Sequence, residues 1–139
     1  MFFNAQLQPN GKGGYVVTFE AVPEAISEGA TREEALASAA DALELALLGY
    51  AKDGLPLPAG DRSRGQNAVF VGASVAAKLA LYEVFRGSGM TKSALARKLG
   101  KDEAEVRRML DPHHATKLGP LEGALRALGK RLGVVVEDV

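Results

Sequence analysis

The side chains of this 139-residue chain that could do chemistry fall into three groups. Carboxylates crowd the first third: Glu20, Glu24, Glu28, Glu33, Glu34 and Asp41. Two adjacent imidazoles, His113 and His114, stand in "DPHHATK". Two adjacent guanidiniums, Arg107 and Arg108, close the stretch "TKSALARKLGKDEAEVRRML", residues 91–110. The first group suggests a metal-dependent nuclease, the second a metal site, the third contact with nucleic acid.

A two-metal nuclease needs several carboxylates converging on the ions. Here Glu33 and Glu34 are explained as first-turn residues favoured by a helix dipole, and Asp41 falls on the polar side of that helix. No acid sits inside an apolar strand, where a metal cluster would be anchored. Adjacent residues on a turn rarely share a metal, and no carboxylate–histidine spacing completes a site around His113 and His114. They read as a polar loop near a DNA backbone, with Lys117 in the same role. The chain has no cysteine, which removes disulfides and thiolate metal sites and suits a reducing cytoplasm. The expectation is a protein without catalytic residues, metal or cofactor.

The arginines have more context. Ala96 lies four residues before Gly100, and Val106 six after it. Two helices meeting at a sharp angle need a small residue at the close approach and a turn residue that tolerates left-handed geometry. Leu95, Leu99, Val106 and Leu110 then fill the wedge. The second helix is expected to start at Asp102, with Glu105 completing a capping box. This is the division of a helix-turn-helix, in which one helix crosses the DNA backbone and the other enters the major groove. Lys92 and Ser93, at the first helix start, are placed for phosphate, and Lys101 and Lys117 for the backbone. Arg107 and Arg108 are candidates for guanine edges and Glu103 for cytosine. The competing reading is a purely structural helical bundle.

The elements that must position these groups follow from periodicity. "FFNAQLQ" and "YVVTFE" alternate with period two and read as strands joined by the "PNGKGG" turn. "AISEG" is a short third strand. "TREEALASAADALELALLGY" changes to helical spacing, with Ala35, Leu36, Ala39, Leu43, Ala46, Leu47 and Tyr50 on one stripe and Thr31 and Glu34 as a capping box. Residues 53–66 are a polar loop in which "DRSR" is a solvated linker, and "NAVFVG" is a last strand. From Ala73 the pattern is helical. Val75, Leu79, Tyr82 and Phe85 form one stripe, ending at Gly87, and Leu121, Ala124, Leu125, Leu128 and Leu132 form another. The predicted class is α+β: a small antiparallel sheet with one helix over residues 1–72, then an all-α helix-turn-helix domain over 73–139 with a terminal strand, "VVVEDV".

Net charge is zero but unevenly spread. Residues 1–73 hold five Lys/Arg against nine Asp/Glu, and residues 74–139 hold twelve against eight. Two halves of opposite balance suggest partners of opposite charge. The N-terminus lacks the pattern of a secretory leader, and the longest uncharged apolar run is too short for a bilayer, which takes about 20 residues. The expected location is the cytoplasm, with no membrane partner.

The segment "YVVTFEAVPEAISEGATREEALASAADALELAL" resembles the N-terminal domain of HicB-type antitoxins, in Tyr15, Val17, Phe19, Pro23, Gly29, Thr31, Glu33, Glu34, Ala35 and Leu36. The C-terminal part, with "ALGKRLGVVVE", is similar to their helix-turn-helix form. The chain departs from the family where Pro-Asp-Leu-Pro-Gly-Cys often stands: residues 20–25 are Glu, Ala, Val, Pro, Glu and Ala. The resemblance implies a partial ribonuclease-H-like fold that blocks a small mRNA-cleaving toxin, and a DNA-binding domain that represses the toxin–antitoxin operon as a dimer or tetramer. Glu20, Glu24 and Glu28 are then candidates for contact with a basic toxin. A solitary regulator, whose first domain binds something else, is the alternative. A lone apolar strand at a chain end is an aggregation liability unless paired, so Val134, Val135 and Val136 are expected to pair with a second chain in a homodimer or homotetramer.

Overall fold

The alternating residues at the N-terminus form strands, but not the single strand their pattern suggests. The computed structural model describes residues 1–139, which divide into two units, Met1–Ala76 and Ala77–Val139. In the first unit "FFNAQLQ" splits at Ala5 into β1 (Phe2–Asn4) and β2 (Gln6–Pro9). These are followed by β3 (Tyr15–Thr18), β4 (Ser27–Gly29), α1 (Arg32–Lys52) and β5 (Ala68–Phe70). β1 pairs antiparallel with β5, Phe3 opposite Val69, whereas β2 pairs with β3 and β3 with β4. Period-two patterning fixes which face a residue takes but not which edge finds a partner, so the change of partner at Ala5 leaves no mark in the sequence.

The 53–66 loop closes the other edge of β1. Asp61 donates its amide to Phe2 O at 2.9 Å and accepts the Asn4 amide on Oδ2 at 2.7 Å. Arg64 lies 4.7 Å above the Phe70 ring. "DRSR" is solvated, as its polarity suggests, but it is no loose linker: Asp61 ties it to β1 and the Arg64 guanidinium stands on the Phe70 ring.

One side of the β2–β3–β4 sheet is covered by α1, which packs on β3 and β4. Ala35, Ala39, Leu43, Leu47 and Ala51 are its buried face. Strict four-residue spacing slants this stripe, so Ala51 is buried in place of Tyr50, and Leu36 and Ala46 are only half-buried. Thr31 Oγ1 accepts the Glu34 amide at 3.1 Å. The returning Glu34 carboxylate takes the Ala30 amide, at 3.3 Å, rather than that of Thr31. Immediately before this cap, α1 passes so close to β4 that a Cβ on Gly29 would stand 2.7 Å from Ala35 Cα and 2.8 Å from Glu34 C.

The second unit contains most of α2 (Ala73–Ser88), then α3 (Lys92–Leu99), α4 (Glu103–Leu110) and α5 (Leu118–Ala127). α2 runs through Gly87 and stops at Ser88, before Gly89 in the left-handed region. Its face in the helical core is Ala77, Leu81, Val84 and Phe85; of the expected stripe Leu79 is fully buried too, while Val75 and Tyr82 are half-buried. Two adjacent apolar stripes fit the helical period equally: one packs with Leu95, Val106, Met109, Leu121 and Leu125, and Leu79 of the other is buried outside that cluster. Leu128 and Leu132 continue onto the core past the end of α5. Residues 130–139 form neither helix nor strand, so the expected terminal strand is not made within the single chain. Val134, Val135 and Val136 are 74%, 81% and 93% exposed. No helix is long and apolar enough to cross a membrane.

Candidate nucleic-acid interface and partner surface

The turn between α3 and α4 is built by Gly100, whose φ of 65° and ψ of 34° lie in the left-handed region. The Gly100 amide donates to Arg97 O at 3.2 Å and the Lys101 amide to Ala96 O at 2.9 Å. This reciprocal pair satisfies the last carbonyls of α3 and redirects the chain. At the other end of α3, Thr91 Oγ1 accepts the Ala94 amide at 3.1 Å. Buried Leu95 and Ala96 of α3 meet buried Val106 and Met109 of α4. The small side chain at position 96 sits where the two helices close on each other, as the spacing suggests.

α4 does not begin with the expected capping box. Asp102 is its N-cap but makes no side-chain capping bond. Its backbone carbonyl takes the Glu105 amide at 3.1 Å, and the Glu105 carboxylate turns instead toward Lys101 at 3.8 Å. An ammonium one residue before the N-cap competes with the amide for the acid.

Both arginines are exposed, but their surroundings differ. Arg107 donates to Glu103 Oε1 at 2.9 Å, one turn back along α4. Ser93 Oγ, from α3, donates to Glu103 Oε2 at 2.9 Å. The Arg107 bond, then the Ser93 bond, hold the Glu103 carboxyl below its ordinary value, and Lys92 adds to this. Ser93, Glu103 and Arg107 thus form one bonded row across the two helices, with Lys92 beside it. Arg108 instead lines a concavity of about 190 Å³ with Lys101, Glu105, Met109, His114, Thr116 and Pro120. Lys117 is exposed at the start of α5 and is not part of that lining.

One residue that pattern reasoning passed over is central here. Lys78 of α2 is only 6% exposed. Its ammonium donates to Arg108 O at 3.0 Å, His114 O at 2.6 Å and Thr116 Oγ1 at 2.6 Å. Burial lowers its pKa, against an opposing effect of Asp111. In the sequence Lys78 is a lone lysine between two alanines and a leucine, which reads as solvent-facing by default.

In the first unit the acidic candidates are spread out. Glu28, on β4, stands opposite Val16, which stands opposite Gln8, and this row is on the sheet face away from α1. Glu20 and Asp61 line a cleft of about 460 Å³ with Phe3, Gln6 and Phe19. Glu24 accepts the Tyr50 hydroxyl at 2.8 Å, a bond that raises the tyrosine pKa. Glu24 is thereby anchored to the end of α1, while Ile26 beside it is 62% exposed.

The first unit is thus a sheet covered on one side by α1 with Glu28 on the other, and the second a helical unit with an excess of basic residues. Residues 3–80 match the family model described as HicB-like antitoxin of bacterial toxin-antitoxin system. The chain is 39% identical over 138 residues to Antitoxin HicB of Escherichia coli (strain K12), covering 98% of this chain and 99% of that protein. It is 38% identical over 139 residues to Antitoxin HicB 1 of Photorhabdus laumondii subsp. laumondii, covering 99% of this chain and 88% of that protein. Antitoxin HicB of Pseudomonas fluorescens is 38% identical over 118 residues, 84% of this chain and 81% of that protein. The chain belongs to the HicB-like antitoxin family. It is an antitoxin of a bacterial toxin–antitoxin system, a membership that implies a cognate toxin.

Proposed function

We propose that this antitoxin binds and neutralises a small, basic, mRNA-cleaving toxin through its first unit, and represses its own operon through helix-turn-helix contacts of its second. It works in the cytoplasm by binding alone, without catalysis, metal or cofactor. The observation that carries the DNA half is the α3–Gly100–α4 corner, with Arg107 exposed on α4 and Lys92 at the α3 start. The acidic balance of residues 1–73 supports the toxin half, since it complements a basic, RNA-binding protein. The test is co-expression with the neighbouring reading frame, followed by co-purification and rescue from toxicity. Operator binding without rescue would leave the solitary regulator.

Arg107→Ala is expected to cost about 1–3 kcal/mol of operator binding and to relax preference at one base pair. Lys92→Ala is expected to weaken all duplexes alike and to flatten the salt dependence by about one phosphate contact. Fluorescence anisotropy over a series of KCl concentrations separates the two. Unchanged affinity in both variants means that another face meets DNA.

The exposed valines at 134–136 supply the dimer in this reading, by pairing with a second chain. Deletion of residues 134–139 is expected to convert the dimer to monomer, read as molar mass by light scattering. A truncated chain that stays dimeric places the interface elsewhere.

A further inference from the structure

We propose that the concavity beside α4 is a phosphate seat: Arg108, Lys101, His114 and Thr116 hold one backbone phosphodiester of the bound duplex, leaving base reading to Arg107 alone. This rests on the DNA-binding reading above and assigns Arg108 to phosphate rather than to a base edge.

The argument begins with the charge behind the concavity. An ammonium has three donors, and those of Lys78 are spent on Arg108 O, His114 O and Thr116 Oγ1, all of them uncharged. A buried cation held by neutral oxygens is costly unless its field is answered. A methionine of similar length would pack in the same place without that cost. Asp111 is the carboxylate that acts on Lys78, and its Oδ1 already accepts the His113 amide at 3.0 Å. Glu105 faces Lys101 at the rim. Three cations, Lys78, Lys101 and Arg108, therefore stand against two carboxylates around the seat.

The hydroxyl of Thr116 supplies the directional contact. Its oxygen accepts from Lys78 at 2.6 Å and stands 3.4 Å from His114 Nδ1, a long contact that a phosphate oxygen at closer range displaces, so its proton can be given to the anion. A donor polarised by a buried ammonium is a stronger partner for an anion than a free hydroxyl. Lys78 also takes the Arg108 and His114 carbonyls, fixing the backbone that carries two of the lining side chains. Lys78 is thus a positioning residue, touching no DNA itself.

The test uses the full chain, a duplex from its own promoter and a scrambled duplex, over a KCl series. Arg108→Ala is expected to lower affinity for both duplexes by the same factor and to reduce the log–log salt slope by about 0.9. Thr116→Val, which keeps shape and removes both the donor and one acceptor of Lys78, is expected to lose about 3–10-fold on both. Lys78→Met is expected to lose affinity for both duplexes while Arg107-dependent discrimination between them persists. If Lys78→Met does not fold, Thr116→Val and Arg108→Ala still decide. An unchanged slope with lost discrimination in Arg108→Ala makes that residue a base reader and overturns the seat. Inorganic phosphate that shifts the His114 and Thr116 resonances, with the duplex slope unmoved by Arg108→Ala, assigns the seat to a free anion and also overturns it. Wild-type protein that binds neither duplex removes the DNA reading itself, a result distinct from the other two.

Discussion

Gly29→Ala is expected to destabilise the first unit by about 3 kcal/mol or more and to abolish rescue from the toxin. The added methyl would meet backbone, not flexible side chain: Ala35 N and Cα and Glu34 C at the first turn of α1. Backbone cannot yield as a side-chain end does, so relief requires α1 to lift off β4. Overpacking of this kind costs about 1–3 kcal/mol, occasionally more, and here it falls on the helix that covers the sheet. The neighbouring cap, Thr31 Oγ1 to Glu34 N, shifts with it. Urea denaturation of the full chain measures the loss. Gly49→Ala is the control, since nothing lies within 4 Å of its added Cβ. It replaces glycine inside a helix, so it is expected to gain about 0.5–1 kcal/mol. Equal effects at the two positions would mean that α1 does not approach β4 as described.

Ala96→Leu is expected to have the second largest effect, about 3 kcal/mol, and to eliminate duplex binding. Ala96 is 4% exposed in the core between α3 and α4, and its carbonyl accepts the Lys101 amide that forms the turn. A leucine there forces the helices apart or off their rotamers. A unit of about 60 residues has little stability to spare. Loss of the α3–α4 angle moves Arg107 relative to Lys92, so binding fails even where the fold survives. Ala96→Gly, which adds no volume, is expected to keep duplex binding. Full operator affinity in Ala96→Leu would show that the crossing is looser than its burial indicates.

What could be read in advance was local. Thr31, Gly100 and the α1 and α5 stripes were readable because caps, left-handed turns and helical periods act over a few residues. The α4 face with Arg107 and Arg108 outward followed from the same periodicity. What escaped depends on partners far along the chain. The split at Ala5 is set by β5, more than sixty residues on. Lys78 finds its acceptors at the end of α4 and in the segment after it, thirty residues and more along the chain. The terminal valines have no pairing partner within the chain, so apolar composition alone did not make them a strand. The Glu105 capping box failed because a nearby charge, Lys101, outbid the amide.

The contact of Asp61 with β1 bears on how this chain tolerates editing. A single aspartate satisfies the Phe2 carbonyl and the Asn4 amide that would otherwise line an open strand margin. Such a margin is a template for another molecule. Shortening the segment before β5 is therefore no neutral trimming: it removes a stopper and invites fibre-like association of the sheet.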